Sequence, residues 1–301
     1  MFRRTLLATV GAIALTGSAA LAADLAPPPV FLPPPPTWTG LYVGINAGYT
    51  WSNNNTVETD TVNVFSIAGL NGQIGNDVAA LATGDVHLQN NGFIGGGQIG
   101  YNWQFANSWA SWVVGIEADI QGVAGGSRTG SVAQSIAPGV FIPFNSSSVI
   151  TSTRDTGYLG TVRGRLGFTI TPTFLVYGTG GLAYGQTNSS TRVTEQLGFN
   201  DTPNPFGTFG NLNNSRVGWT AGGGLEWLFA PNWSLKVEYL YYDLGRVSYA
   251  LFPLQQFGMN GTLLETIGAS QSSTRFNGNI VRAGLNYHFI LGAPAPVVAK
   301  Y

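Results

Sequence analysis

The stretch Asn279–Phe289 constrains this chain more than any other. Val281, Ala283, Leu285, Tyr287 and Phe289 fall on one side of an extended backbone. Ile280, Arg282, Gly284, Asn286 and His288 fall on the other. Side chains of a strand alternate with a period of two, so one face here is apolar and ends in two aromatics, while the other is mostly polar or small. That pattern fits a wall with hydrocarbon on one side and a polar interior on the other.

A wall of that kind needs export, and the N-terminus supplies an export signal. Arg3 and Arg4 form a positive start, Leu6 to Leu15 an apolar core, and Ala20-Leu21-Ala22 a small-residue cleavage site. Residues 1–22 are therefore expected to be a signal peptide, cut after Ala22. No later window reaches the ~18 consecutive apolar residues of a transmembrane helix. Charged residues make up 9% of the chain, against about 25% in an ordinary soluble domain. Hydrophobic residues make up 44%, and they are spread in alternation rather than in blocks. The net charge of −1 argues against a nucleic-acid binder, which needs a basic face. The chain has no cysteine and only two histidines, His87 and His288. Thiol catalysis, zinc–thiolate sites and multi-histidine metal sites are thereby excluded, and no cofactor is expected.

Residues 23–37 hold seven prolines between Pro27 and Pro36 and read as a stiff periplasmic lead-in, because proline removes backbone donors and favours an extended chain. Eight alternating segments follow, near 39–51, 92–105, 109–121, 157–170, 174–186, 216–229, 233–244 and 279–289. Short links near Ala106-Asn107-Ser108, Thr171-Pro172-Thr173 and Ala230-Pro231-Asn232 alternate with long ones, near 52–91, 122–156, 187–215 and 245–275. The long links are rich in Asn, Ser, Thr and Gly, as solvated loops tend to be. The predicted fold is all-β: an eight-stranded antiparallel transmembrane β-barrel, an up-and-down meander with short periplasmic turns and four long, mobile external loops. It spans 38–289, with 290–301 as a periplasmic tail. Two aromatic girdles are expected at the membrane boundaries. Trp38, Trp103, Trp227, Trp233, Tyr287 and Phe289 belong to the lower one, and Tyr49, Phe93, Tyr158, Trp219 and Tyr239 to the upper one.

The inward-facing charges are the candidate site. Alternation places Glu117, Asp119, Glu226 and Glu238 inside, together with Arg163, Arg165, Lys236 and Arg282. Charges at membrane depth must be paired or hydrated, and an eight-stranded barrel is just wide enough for side chains to fill. The expected role is an ion-pair network that plugs the lumen; the alternative is a charged filter in a conducting pore. The turn at Pro231 leaves Glu226 and Lys236 equidistant, so these two are expected to face each other and pair, with Glu238 beside the strand of Arg282, and Glu117 and Asp119 neighbouring Arg163 and Arg165 across the second long link. Gly95 to Gly100 matches a dinucleotide fingerprint in form only. The following Tyr101-Asn102-Trp103 continues a strand where that motif needs a helix. No Gly-x-Ser-x-Gly elbow is present and neither histidine has a nucleophile pattern around it, so enzymatic activity is not expected.

Several local motifs carry a family resemblance. After the signal come Ala23-Asp24-Leu25, the Pro-rich lead, and Trp38-Thr39-Gly40-Leu41-Tyr42-Val43-Gly44. Later come Gly180-Gly181-Leu182-Ala183-Tyr184-Gly185 and Lys236-Val237-Glu238-Tyr239-Leu240-Tyr241. The chain resembles the small outer-membrane β-barrel proteins of alphaproteobacteria, often labelled porin-family or outer-membrane immunogenic proteins, whose barrel is similar to the membrane domain of OmpA. The resemblance covers almost all of 23–289. It implies a place in the cell outer membrane, among outer-membrane lipid and lipopolysaccharide. It also implies insertion by the barrel-assembly machinery, which would read a C-terminal signal matching Gly284, Leu285, Tyr287 and Phe289. Members usually end at that terminal Phe, whereas Ile290 to Tyr301 follow here. The expected role is structural, in envelope integrity and surface presentation, with adhesion or host recognition through loops that meet an unidentified surface ligand. The alternative is a narrow passive channel for small solutes.

Overall fold

A computed structural model describes residues 37–64, 69–106, 111–137, 145–199, 202–257 and 263–289. The expected signal peptide, nearly all of the Pro-rich lead-in, the 290–301 tail and most of the turn after Ala106 lie outside the described residues.

Eight strands supply the wall. They are β1 (Gly40–Ser52), β4 (Asn91–Ala106), β5 (Ser111–Ala124), β8 (Tyr158–Thr171), β9 (Phe174–Phe199), β10 (Thr202–Ala230), β11 (Trp233–Ala250) and β13 (Leu263–Phe289). Each pairs antiparallel with the next wall strand along the chain. β13 pairs with β11 and again with β1, where Phe289 faces Leu41 and Ala283 faces Ala47. The ladder therefore closes on itself in a ring through these eight strands. Closure leaves no unpaired edge, which is how a sheet can meet hydrocarbon without orphaned backbone groups.

Parity along the strands decides what lines each side. Ile45, Ile99, Ile116, Val162, Leu166, Val217, Trp227 and Val237 point outward and are exposed. Asn46, Gln98, Glu117, Thr161, Glu226, Lys236 and Arg282 point inward and are buried. Outward aromatics mark two levels. Trp227 and Trp219 lie eight residues apart on β10, ~26 Å along a strand rising ~3.3 Å per residue. At the lower level Trp233 packs edge-on against Tyr287, with centroids 5.2 Å apart. At the upper level Trp219 packs on Tyr241 at 5.2 Å.

One aromatic assigned to the lower girdle lies elsewhere. Trp38 is wholly buried inside the ring, with Val113, Leu175, Tyr177 and Leu228. Its indole Nε1 donates to the Pro172 carbonyl at 3.1 Å. The reason is parity: Trp38 shares a face with Gly40 and Tyr42, which is the inward one.

The four long links also depart from expectation. Among the described residues they form strands and one helix rather than irregular loops. The first forms β2 (Thr56–Asn63), α1 (Gly69–Leu81) and β3 (Gly84–His87). The second forms β6 (Arg128–Ile136) and β7 (Ser146–Asp155). The third is the continuation of β9 and β10, and the fourth includes β12 (Leu254–Phe257). β2 pairs with the upper part of β13 and β3 with β2. β7 pairs with the upper part of β9, β6 with β7, and β12 bridges β10 and β13. The wall thus continues upward into a cap. β11 enters the cap through a bulge between Asp243 and Arg246. There Gly245 takes a φ of +85°, a conformation that glycine adopts without a Cβ penalty.

The cap encloses its own apolar core. Val57, Val78, Ala82, Val86, Ile150, Val193, Tyr249, Leu254 and Ile267 pack together inside it. Polar composition hid this because threonine and serine are good strand residues when cross-strand partners take up their hydroxyls. Thr191 and Ser189 each share a hydrogen bond with the Tyr249 hydroxyl, at 2.8 and 2.9 Å, and Thr59 and Ser272 share one at 2.8 Å.

Candidate functional site

Between the Trp38 cluster and a second apolar layer, the ring interior is charged. β5 supplies Glu117 and Asp119, β8 Arg163 and Arg165, β10 Glu226, β11 Lys236 and Glu238, and β13 Arg282. All eight are buried. Strands about 4.8 Å apart around a small ring bring side chains from opposite walls into contact.

Arg163 is the hub. Its guanidinium contacts Glu117 at 2.5 Å, Asp119 at 3.0 Å and Glu238 at 2.9 Å. Arg282 contacts Asp119 at 2.8 Å and Glu238 at 2.6 Å. Lys236 donates to both oxygens of Glu117, at 2.7 and 2.8 Å. Arg165 contacts Glu226 at 2.6 Å. The four acids and four bases form one set of charge-assisted contacts, the strong class of hydrogen bond.

The expected Glu226–Lys236 pair is corrected in part. The two residues do face each other in the β10–β11 ladder, but neither is the other's ion-pair partner. Glu226 takes Arg165, the Ser234 hydroxyl at 2.5 Å and the Asn286 amide at 2.7 Å. Lys236 crosses the interior to Glu117. Its stem runs over Gly284, where a Cβ would sit 3.1 Å from the Lys236 Cε and Cγ atoms.

Neutral residues complete the site, and sequence reasoning did not single them out. Tyr42 donates to Glu117 Oε2 at 2.7 Å and accepts from Arg165 at 3.0 Å. Gly100 leaves room for that ring, since a Cβ there would lie 2.3 Å from the Tyr42 hydroxyl. Tyr177 donates to Glu238 at 3.0 Å and lies under the Arg165 guanidinium, 4.0 Å from its centroid. Thr161 donates to Asp119 at 2.7 Å. The signal that could have found them is shared parity at the height of the charges.

Above this layer the interior turns apolar again, with Ile94, Leu159, Ala183, Leu240, Tyr242, Phe276 and Ile280. The four residues of the expected assembly signal lie at the lower end of β13. Gly284 faces inward; Leu285 and Tyr287 face outward, half-buried; Phe289 is exposed. His288 lies inward, with Nε2 2.8 Å from the Ser234 hydroxyl. His87 lies in the cap, on β3. The two histidines are therefore at opposite ends of the molecule. Among the described residues no group of three or more His, Asp or Glu side chains is arranged to hold a metal ion.

The family model described as outer membrane protein beta-barrel domain matches residues 10–289. The chain is 33% identical over 297 residues to the 31 kDa outer-membrane immunogenic protein of Brucella melitensis biotype 1, covering 95% of this chain and 100% of the relative. It is 28% identical over 225 residues to the 25 kDa outer-membrane immunogenic protein of Brucella abortus biovar 1, covering 75% of this chain and 74% of the relative. Among solved structures, the outer membrane protein OprG from Pseudomonas aeruginosa aligns with a TM-score of 0.37 at 11% identity, over 84% of this chain and 98% of that one.

Proposed function

We propose that this chain, which belongs to the outer membrane β-barrel protein family and resides in the cell outer membrane, is a sealed, eight-stranded structural barrel that supports the envelope and holds a rigid cap at the cell surface. One observation carries this reading. The eight charged side chains of the interior are at most 4% exposed. A water-filled channel leaves its charged lining wet, whereas these groups are spent on one another. The apolar layers at Trp38 and at Phe276 lie below and above them and add two further barriers to ions.

The finer topology follows from that reading. Residues 1–22 are removed as a signal peptide, residues 23–37 form a periplasmic lead-in, and 38–289 form the barrel, followed by the tail. The turns at Pro172-Thr173 and Pro231-Asn232 face the periplasm and the cap faces outward. Leu285, Tyr287 and Phe289, with Gly284, serve as the signal read by the assembly machinery. No enzymatic chemistry is assigned, because the site offers paired charges, and the Ser234 hydroxyl beside His288 Nε2 is wholly buried and donates to Glu226. The immunogenic character named for the Brucella relatives fits an ordered cap displayed outside the cell.

Purified protein refolded into planar bilayers tests the reading. The expected record is a silent membrane at voltages that open ordinary porins. Clean, reproducible unitary conductance from the parent protein would overturn the sealed barrel and favour a narrow solute channel.

A further inference from the structure

The outer face of the cap carries a feature that neither the membrane wall nor the plugged interior explains. The registers of β6, β7, β9 and β10 set Ser131, Thr151, Arg192 and Phe209 in one row across four strands. Phe252 extends the row, with its ring centroid 4.7 Å from that of Phe209. The Arg192 guanidinium lies 5.8 Å from the Phe209 centroid. The two rings are 49% and 60% exposed. They stand well clear of the hydrocarbon, because Phe209 is ten residues beyond Trp219 on β10, ~33 Å along the strand. A single exposed apolar side chain is ordinary; here two rings in contact adjoin a guanidinium and a row of hydroxyls on one face. The backbone also holds the pair in place: the Phe252 amide donates to the Phe209 carbonyl at 2.9 Å.

The surroundings narrow the chemistry of the partner. The neighbouring row is Thr129, Thr153, Ser190 and Asn211, and the Thr129 and Thr153 hydroxyls share a 2.8 Å hydrogen bond. Arg192 is the one charge in the two rows. Flat aromatic faces suit the C–H faces of sugar rings, hydroxyl rows suit sugar hydroxyls, and a lone guanidinium suits a phosphate. A protein partner would call for a larger apolar core with a polar rim. The row lies on the side of the cap, not at its tip, so it looks along the membrane toward glycans rooted in the same leaflet.

We propose that the row Ser131–Thr151–Arg192–Phe209–Phe252 binds the phosphorylated oligosaccharide of lipopolysaccharide in the protein's own membrane. This rests on the outward placement of the cap, so the test separates orientation from binding. The chain has no cysteine, and Ala133→Cys on the same face gives a unique label. A membrane-impermeant maleimide should label it on intact cells; failure to label would place the cap in the periplasm and overturn the proposal at that step.

Binding is measured on full-length protein in detergent, with the phosphorylated core oligosaccharide freed of lipid as the probe. The expected result is saturable binding, weakened about tenfold or more by Arg192→Gln and by Phe209→Ala, as loss of a charge-assisted contact or a stacked ring implies. The dephosphorylated oligosaccharide should bind the parent about as weakly as the phosphorylated one binds Arg192→Gln. Unboiled gel mobility of both variants should match the parent, which shows that the fold persists. Equal binding by parent and variants, no binding by the parent, or binding only of a sulfated host-type oligosaccharide would each overturn the proposal.

Discussion

Lys236 stands opposite Glu226 in the β10–β11 ladder, yet its ammonium bonds Glu117 on a different part of the wall, at 2.7 Å. Contacts across the interior, such as Lys236–Glu117 and Arg165–Glu226, therefore link the pairs that adjacent strands make in register, Glu117–Arg163 and Glu238–Arg282. Lys236→Ala should destabilise the folded protein by about 3–5 kcal/mol, because it removes one partner of a buried charge. Glu117 retains Arg163, which favours the lower end of that range. A double-mutant cycle in urea should show strong coupling between Lys236→Ala and Glu117→Ala and weak coupling between Lys236→Ala and Glu226→Ala. Equal coupling in both cycles would contradict the cross-lumen assignment.

Glu195 gives the cap a pH dependence. Its side chain is buried with both carboxylate oxygens lacking a partner, and burial pushes its pKa from 4.5 up to about 8. Between those values the folded cap holds a proton that an opened cap releases. Cap stability should therefore be highest below about pH 4.5, fall as pH rises, and level off above about pH 8. The slope is at most ~1.4 kcal/mol per pH unit. Pulse proteolysis in urea, comparing the parent with Glu195→Gln at each pH, measures it. The two proteins should diverge as pH rises, with the variant the more stable.

Arg154 ties the cap together without an acid. Its guanidinium donates to the Asn54 carbonyl and, at 2.7 Å, to the Arg275 carbonyl, and it covers the Phe276 ring at 4.3 Å. These contacts join β7 to the chain after β1 and to β13. Arg154→Met keeps bulk but leaves two carbonyls without their donor, at about 1–3 kcal/mol each where water is excluded. Chymotrypsin should cut the cap of the variant faster, while heat-modifiable gel mobility stays that of the parent. Unchanged cap cleavage would remove Arg154 as a fastening.

The end of β13 bears on assembly. Tyr287 packs edge-on with both Trp233 and Phe289, at 5.2 and 5.1 Å. Phe289→Ala removes an interfacial anchor and should lower the yield of folded protein in the membrane more than deletion of residues 290–301. Comparing the heat-modifiable fraction in outer-membrane preparations measures this; equal yields would count against the terminal Phe as the signal.

Alternation by itself determined which side chains face inward. A one-residue slip would send Ile116 and Val237 into the interior and Glu117 and Lys236 into lipid, so register is heavily constrained wherever the two sides differ this much. For that reason Glu117, Asp119, Arg163, Arg165, Glu226, Lys236, Glu238 and Arg282 could be placed on one side from parity alone. The same parity, applied to Trp38, would have moved it from the girdle to the interior.

What the tertiary structure decided is everything that depends on distance across the ring. Strand adjacency already set Glu117 beside Arg163 and Glu238 beside Arg282; closure set the pairs that cross the interior, because Lys236 reaches Glu117 only when β5 and β11 curve toward one another. The cap is the second such case. Ser, Thr and Asn between 187 and 215 suit a solvated loop and a strand equally well. Only the pairing of β9 with β10 and β7, and the apolar core around Val193 and Ile150, selects the strand. Local pattern fixes the side of the wall a residue faces, since that needs only the period of the backbone; it leaves open the partner it finds there, since partners come from segments far apart in the chain.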